Sequence, residues 1–214
     1  MTFENTLEFA KKLDSQDQLH KYQDQFIFPQ VNGKKVIYFT GNSLGLQPKR
    51  SKEYVDEVMN DWANLAVEGH FYSEKPWWDY HERFANPLSK IVGALPTEVT
   101  VMNTLTVNLH LLMVSFYRPT KTRYKIICEE KAFPSDQYMF QSQVHFHGYK
   151  PEDAIVEIKR RNGEHNIRLE DVAAKIEEVG EELALVLIGG VNYYTGQVFD
   201  MKTITAAGHK AGAY

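Results

Sequence analysis

A chain of 214 residues is long enough for one large domain or two small ones, and it can bury a core without needing disulfides or metal staples. Hydrophobic residues at 43% and charged residues at 24% are ordinary globular proportions and exclude a disordered chain. The formal charge of −4, from 24 basic and 28 acidic side chains, is small and mixed, so no nucleic-acid partner is expected.

Other classes fall away on local features. The longest apolar stretch, Leu183–Val191, contains two glycines and is far too short to span a bilayer, so no membrane association is expected. The first residues are acidic, without the basic start and apolar core of a secretory signal. Cys128 stands alone and has no internal disulfide partner, which makes a reducing cytoplasm the simplest home.

Along the chain, the spaced apolar positions of the first 35 residues suggest a polar-faced helix followed by a loop at Phe28-Pro29. Val36–Phe39 reads as a short strand running into the turn-rich Gly41–Gly45. Pro48 opens a helix towards Leu65, with Tyr54, Val58, Trp62 and Leu65 on one face. Residues 69–81 are crowded with aromatics and read as a loop.

From residue 98 the pattern alternates. Strands are predicted at 99–102, 125–129, 154–158 and 183–188, and helices at 104–117, 135–145, 169–179 and 201–210. Gly180 and Gly212 stop the last two helices. Such alternation implies an α/β fold, a mostly parallel sheet covered by helices on both faces as a three-layer sandwich. Helix 104–117 is apolar nearly all round and is predicted to be a buried inner helix. The chain stops at Tyr214, where the next strand is due, which points to a truncated fold.

In open parallel sheets, ligands lie beyond the carboxyl ends of the strands. Three segments at that edge carry unusual residues. At Met102–Asn108 a strand runs into a helix whose first turn offers free N–H groups and the Thr106 hydroxyl, suited to a phosphate; alternatively, Asn103 or Thr104 is only an N-cap. At Ala132–Asp136, Phe133 can stack on a planar ligand or pack in the core, while Ser135 or Asp136 caps the next helix behind Pro134. At Gly189–Gln197, paired glycines allow close backbone approach, and Tyr194 or Thr195 can reach an anion; a plain glycine turn is the alternative. His70 is a substrate contact or a surface residue. His110, His145 and His147 lack metal-site spacing, so no metal is expected, and Cys128 is expected to be buried and inert. No G-x-G-x-x-G follows a strand, and no G-x-x-x-x-G-K-[ST] loop occurs.

Together, Ile37–Lys49, Met102–Met113, Ala132–Asp136 and Tyr193–Gln197 resemble the kynureninase family, from about residue 25 to the end of the chain. The resemblance implies a pyridoxal 5'-phosphate enzyme of the aspartate-aminotransferase fold type (fold type I). It would cleave L-kynurenine or 3-hydroxykynurenine to anthranilate or 3-hydroxyanthranilate and L-alanine, in tryptophan catabolism and NAD biosynthesis. It implies that Leu105, Thr106 and Tyr194 hold the cofactor phosphate, that Phe133 stacks on its ring, and that Pro134, Ser135 and Asp136 line it. Ser43 and His70 would lie on the substrate side, and the family's members are homodimers. Residues 1–97 would then be an N-terminal segment with substrate-side loops, and 98–214 the first half of the cofactor-binding large domain. Gly189 stands where some relatives have Ser, and the Schiff-base lysine lies beyond Tyr214, so no covalent catalytic residue is expected within this chain. Another enzyme of the same fold (a desulfurase or transaminase) and a non-catalytic scaffold are the alternatives.

Overall fold

A computed structural model describes residues 2–214. They divide into two compact units, one ending at Thr100 and one spanning Val101–Tyr214.

The first unit is helical, with one small hairpin. Helix α1 (Leu7–Gln16) is capped by Thr6, whose hydroxyl accepts the Phe9 N–H. Strands β1 (Gln30–Val31) and β2 (Lys34–Lys35) pair antiparallel across Asn32-Gly33, both at positive φ, as a two-residue hairpin turn requires. The strand predicted at 36–39 is not formed, because these residues have no partner strand among the described residues, and Ile37 and Phe39 are exposed. The ladder sits one turn earlier, where the Asn-Gly signal lies. Helix α2 (Ser51–Leu65) begins three residues after Pro48. The aromatic segment is more ordered than the predicted loop: α3 (Gly69–Tyr72) and a 3₁₀ turn at Tyr80–Phe84 lead into α4 (Ala85–Val92).

In the second unit, α5 (Leu105–Phe116) precedes β3 (Lys125–Glu129), α6 (Pro134–Phe146), the short α7 (Pro151–Ala154) and β4 (Ile155–Ile158). Helix α8 (Leu169–Val179), β5 (Leu183–Val186) and α9 (Met201–Lys210) complete it. The sheet is parallel, in the order β4-β3-β5. Residues 99–102, predicted as a further strand, run without strand pairing among the described residues.

The central strand explains the layering. Ile126 and Cys128 point into a core with Met113 and Tyr117 of the α5 region and with Met139, Phe140 and Val144 of α6. Ile127, between them in sequence, points the other way, into Val172 and Ile176 of α8 and Ile204 of α9. A strand buried on both faces shows no polar alternation, which is why this run reads as continuously apolar. Burial pushes the Cys128 thiol up to about 12, so it stays protonated and unreactive. Arg123 latches the sheet's far end, its Nη1 donating to Leu183 O and, at 2.9 Å, to Ala211 O. The Tyr214 N–H donates to Ala184 O (3.1 Å) and the Val186 N–H to Tyr214 O (2.8 Å), so the last residues run alongside β5.

The inner-helix expectation for α5 is overturned. Only Met113 is buried within it, while Leu105, Val107, Leu111, Leu112, Val114 and Phe116 are exposed. An all-apolar helix needs cover on every side, and here α6 and the sheet supply it on one. Among the described residues no helix is long and apolar enough to cross a membrane.

Phe140 sits at the heart of the α6–sheet core and is 1% exposed. Phe140→Ala is expected to lower the unfolding free energy by about 3–5 kcal/mol in a urea titration. Tyr138→Ala, on the exposed side of the same helix, should change it by less than about 0.5 kcal/mol.

Candidate functional site at the carboxyl edge of the sheet

Helices α5 and α6 pack together in the same sense: His110 Nδ1 meets Gln143 Nε2 at 3.0 Å, and the Tyr117 and His147 rings meet at 5.4 Å. Both helices therefore begin at the same end of the layer. Helix α6 begins just past the carboxyl end of β3, so both starts belong to the edge where parallel sheets bind ligands.

The start of α5 is open. Asn103 sits in the left-handed region (φ 24°), and Thr104 occupies the N-cap position without a side-chain capping bond. The first helical bond is from Asn108 N–H to Thr104 O at 2.9 Å, which leaves the N–H groups of the first turn available to a ligand. Leu105 and Thr106 are both exposed there. Neither Asn103 nor Thr104 serves as the simple cap that the sequence also allowed.

The second segment differs from expectation in its capping. Phe133 itself takes the N-cap position of α6 and Pro134 the first helical one, whereas Ser135 and Asp136 lie inside the first turn. The Asp136 and Gln137 N–H groups donate to Phe133 O (2.8 and 3.1 Å), and the Ser135 hydroxyl donates to Asp136 Oδ1 (3.2 Å). Partial burial raises the Asp136 carboxyl above its ordinary value. Phe133 is not core: 47% of it is exposed, and its ring meets Tyr193 edge-on at 5.0 Å and 85°.

The third segment is more than a glycine turn. Asn192 is buried, and its Oδ1 accepts the N–H groups of Tyr194 (3.0 Å) and Thr195 (2.9 Å) and the Thr195 hydroxyl (3.2 Å). A bridge between Val191 and Val198 and the positive φ of Gly196 close the turn. Tyr194, 82% exposed, projects from it with Tyr193 beside it. A cavity of about 190 Å³ opens here, lined by Glu130, Lys131, Arg160, His165 and residues of this turn. A Cβ added at Gly189 meets its nearest atoms at 3.5 Å, an ordinary contact, so the position has room for a side chain.

Three residues have roles that the sequence reading did not assign. Glu129 ends β3 and is only 7% exposed; burial raises its pKa, and backbone N–H groups, its own first and then that of Gly189, partly offset the rise. A charge closing an apolar run is the signal that marks it. Gln197 binds Ile167 on both sides, accepting its N–H (2.9 Å) and donating to its carbonyl (2.5 Å). Tyr193 differs from its neighbour in sequence only by position, and nothing in composition singles it out.

Ser43 and His70 belong to the first unit. Ser43 is exposed in a turn where its N–H donates to Thr40 O at 2.9 Å. His70 is exposed on α3, edge-on to Trp77 at 5.3 Å. The Trp77 indole lies so close to Gly69 that an added Cβ would meet its ring at 2.8 Å, so any larger residue there would force the indole to shift.

No protein-family model matches the chain. It is 86% identical over 213 residues to the kynureninase of Flavobacterium johnsoniae, a match that covers 100% of this chain and 50% of that protein. It is 54% identical to the kynureninase of Myxococcus xanthus and 50% identical to that of Nematostella vectensis. The chain thus spans about half the length of the curated relatives it matches. Among solved structures, an apo cysteine desulfurase from Thermococcus onnurineus superposes with a TM-score of 0.60 at 20% identity, over the whole of this chain and 47% of that one. A C-DES mutant with glycine covalently linked to its PLP cofactor superposes at 0.56 and 14% identity, over 81% of this chain and 43% of that one. At such identities the likeness establishes the fold, that of fold-type-I PLP enzymes, of which about half is present here.

The Glu129 carboxyl holds its proton more tightly in the native state than in the unfolded chain, so it detracts from stability above its raised pKa. That deficit shrinks as pH falls towards the ordinary carboxylate range. Glu129→Gln is expected to raise the melting temperature at about pH 8 and to lose that advantage by about pH 4. A difference that stays constant across this range would mean that the carboxyl titrates normally.

Proposed function

We propose that this chain, which matches the N-terminal half of kynureninases along its whole length, supplies the cofactor-holding edge of a pyridoxal-phosphate hydrolase. That enzyme converts L-kynurenine or 3-hydroxykynurenine, with water, to anthranilate or 3-hydroxyanthranilate and L-alanine. The carbon–carbon bond beside the aryl ketone breaks. The water oxygen stays on the aryl acid, and the released side-chain carbon gains a proton in alanine. The observation that carries this reading is the 86% identity across 213 residues, far above the level at which fold alone is shared.

The residues present suit such a cofactor. The uncapped first turn of α5 offers N–H groups and the positive end of the helix dipole to the phosphate, with Leu105 and Thr106 as the contact residues. Tyr194, with its exposed side chain, would add a hydroxyl to the same group. Half-exposed Phe133 offers a ring face to the pyridine, and Pro134, Ser135 and Asp136 follow it along the first turn of α6. When bound, pyridoxal phosphate would supply the electron sink that makes cleavage between the substrate's β- and γ-carbons possible, and the protein's part is to hold and orient it. Gly189 contributes no hydroxyl of its own, which leaves Thr106 and Tyr194 to provide that chemistry.

Residues 98–214 would be the first half of the large cofactor-binding domain, with 1–97 bearing the substrate-side residues Ser43 and His70. The remaining parts of this reading are a homodimer, a cytoplasmic location, and a role in tryptophan catabolism and NAD biosynthesis.

The test is to supply kynurenine and pyridoxal phosphate to a full-length protein carrying this chain and to assay alanine. Alanine release supports the reading. Transamination without alanine would favour another enzyme of the fold, and failure to take up the cofactor would favour a scaffold. Thr106→Ala is expected to weaken pyridoxal-phosphate binding by about 1.5–3 kcal/mol, the range for a hydrogen bond to a charged group, as measured by equilibrium dialysis.

A further inference from the structure

The Phe133 backbone is fixed by α6, whose Asp136 and Gln137 N–H groups donate to its carbonyl, but these bonds do not fix its ring. Phe133 precedes the first turn of α6, and about half of it is exposed. A side chain so placed can swing between rotamers, and a flat ligand binding to it must then fix its plane. The structure supplies a partner from another part of the chain. Tyr193 meets the Phe133 ring edge-on at 5.0 Å, an arrangement favoured by the charge distribution of aromatic rings.

Tyr193 is itself held. The Asn192 carboxamide oxygen accepts the N–H groups of Tyr194 and Thr195, so the backbone is fixed on both sides of Tyr193, and the Val191–Val198 bridge closes the turn. Gln197 then pins the turn to the segment ahead of α8, its carboxamide pairing with both backbone groups of Ile167 as a neighbouring strand would. The turn is thereby anchored by hydrogen bonds at three points, although no strand passes through its tip.

We propose that Tyr193 is a positioning residue, one that fixes the plane of Phe133 before the cofactor arrives, and that Gln197 holds Tyr193 in place. This rests on the reading of Phe133 as the residue that stacks on the cofactor ring. The contribution comes from the Tyr193 ring and not from its hydroxyl, and that difference makes the idea testable.

The experiment uses a full-length protein carrying this chain, with pyridoxal phosphate and phosphate-free pyridoxal as the two probes, and reads dissociation constants by fluorescence titration. Tyr193→Leu is expected to weaken both probes by the same factor, roughly two- to tenfold, as loss of one aromatic pair implies. Tyr193→Phe should leave both unchanged. Gln197→Met should shift both in the same direction as Tyr193→Leu. In a Phe133→Ala background, Tyr193→Leu should add nothing further.

A loss confined to pyridoxal phosphate, or one reproduced by Tyr193→Phe, would assign Tyr193 to the phosphate and overturn the proposal. If Phe133→Ala weakens both probes but Tyr193→Leu weakens neither, the positioning role fails while the stacking role stands. If Phe133→Ala itself changes nothing, the stacking reading fails and the positioning role falls with it.

Discussion

The second unit depends on one constraint: β3 must be buried on both faces. Ile126 and Cys128 need cover from one layer of helices and Ile127 from another, so the chain has to cross the sheet repeatedly in parallel. Parallel crossovers bring every strand's carboxyl end to one edge, and the following loops gather there. The uncapped start of α5, the ring of Phe133 and the anchored turn at 191–198 are all consequences of that geometry. None of them is near another in sequence, and the sheet is what they have in common.

Much of this was legible in the sequence. The continuous apolar runs at 126–128 and 183–186, and helices bounded by Pro134, Gly180 and Gly212, follow from local chemistry that the fold does not override. The strands predicted at 36–39 and 99–102 fail for a shared reason. β-branched and aromatic residues fit a pleated surface, but a strand exists only if another strand pairs with it, and pairing is a property of distant residues. The Asn32-Gly33 signal, by contrast, is purely local and marks the hairpin that does form.

The site was legible in part. Positions that follow a strand and open a helix can be found from the pattern, which is how Thr106 and Phe133 came to notice. The supports of the turn are harder to see. Gln197 bonds the backbone of Ile167, thirty residues away, and the Tyr193 ring meets that of Phe133 at the start of α6. Such roles depend on proximity in space, and a single sequence does not encode it in any local pattern. Glu129 lies between these cases: its charge is visible, but its burial against Gly189 is not.

The wet side of α5 has a practical consequence. Leu105, Val107, Leu111, Leu112, Val114 and Phe116 present water with a greasy surface that carries hardly any charge to keep like molecules apart. Produced by itself at high concentration, the polypeptide would stick to its own kind or to chaperones. Glu and Lys placed along that stripe would break up the patch.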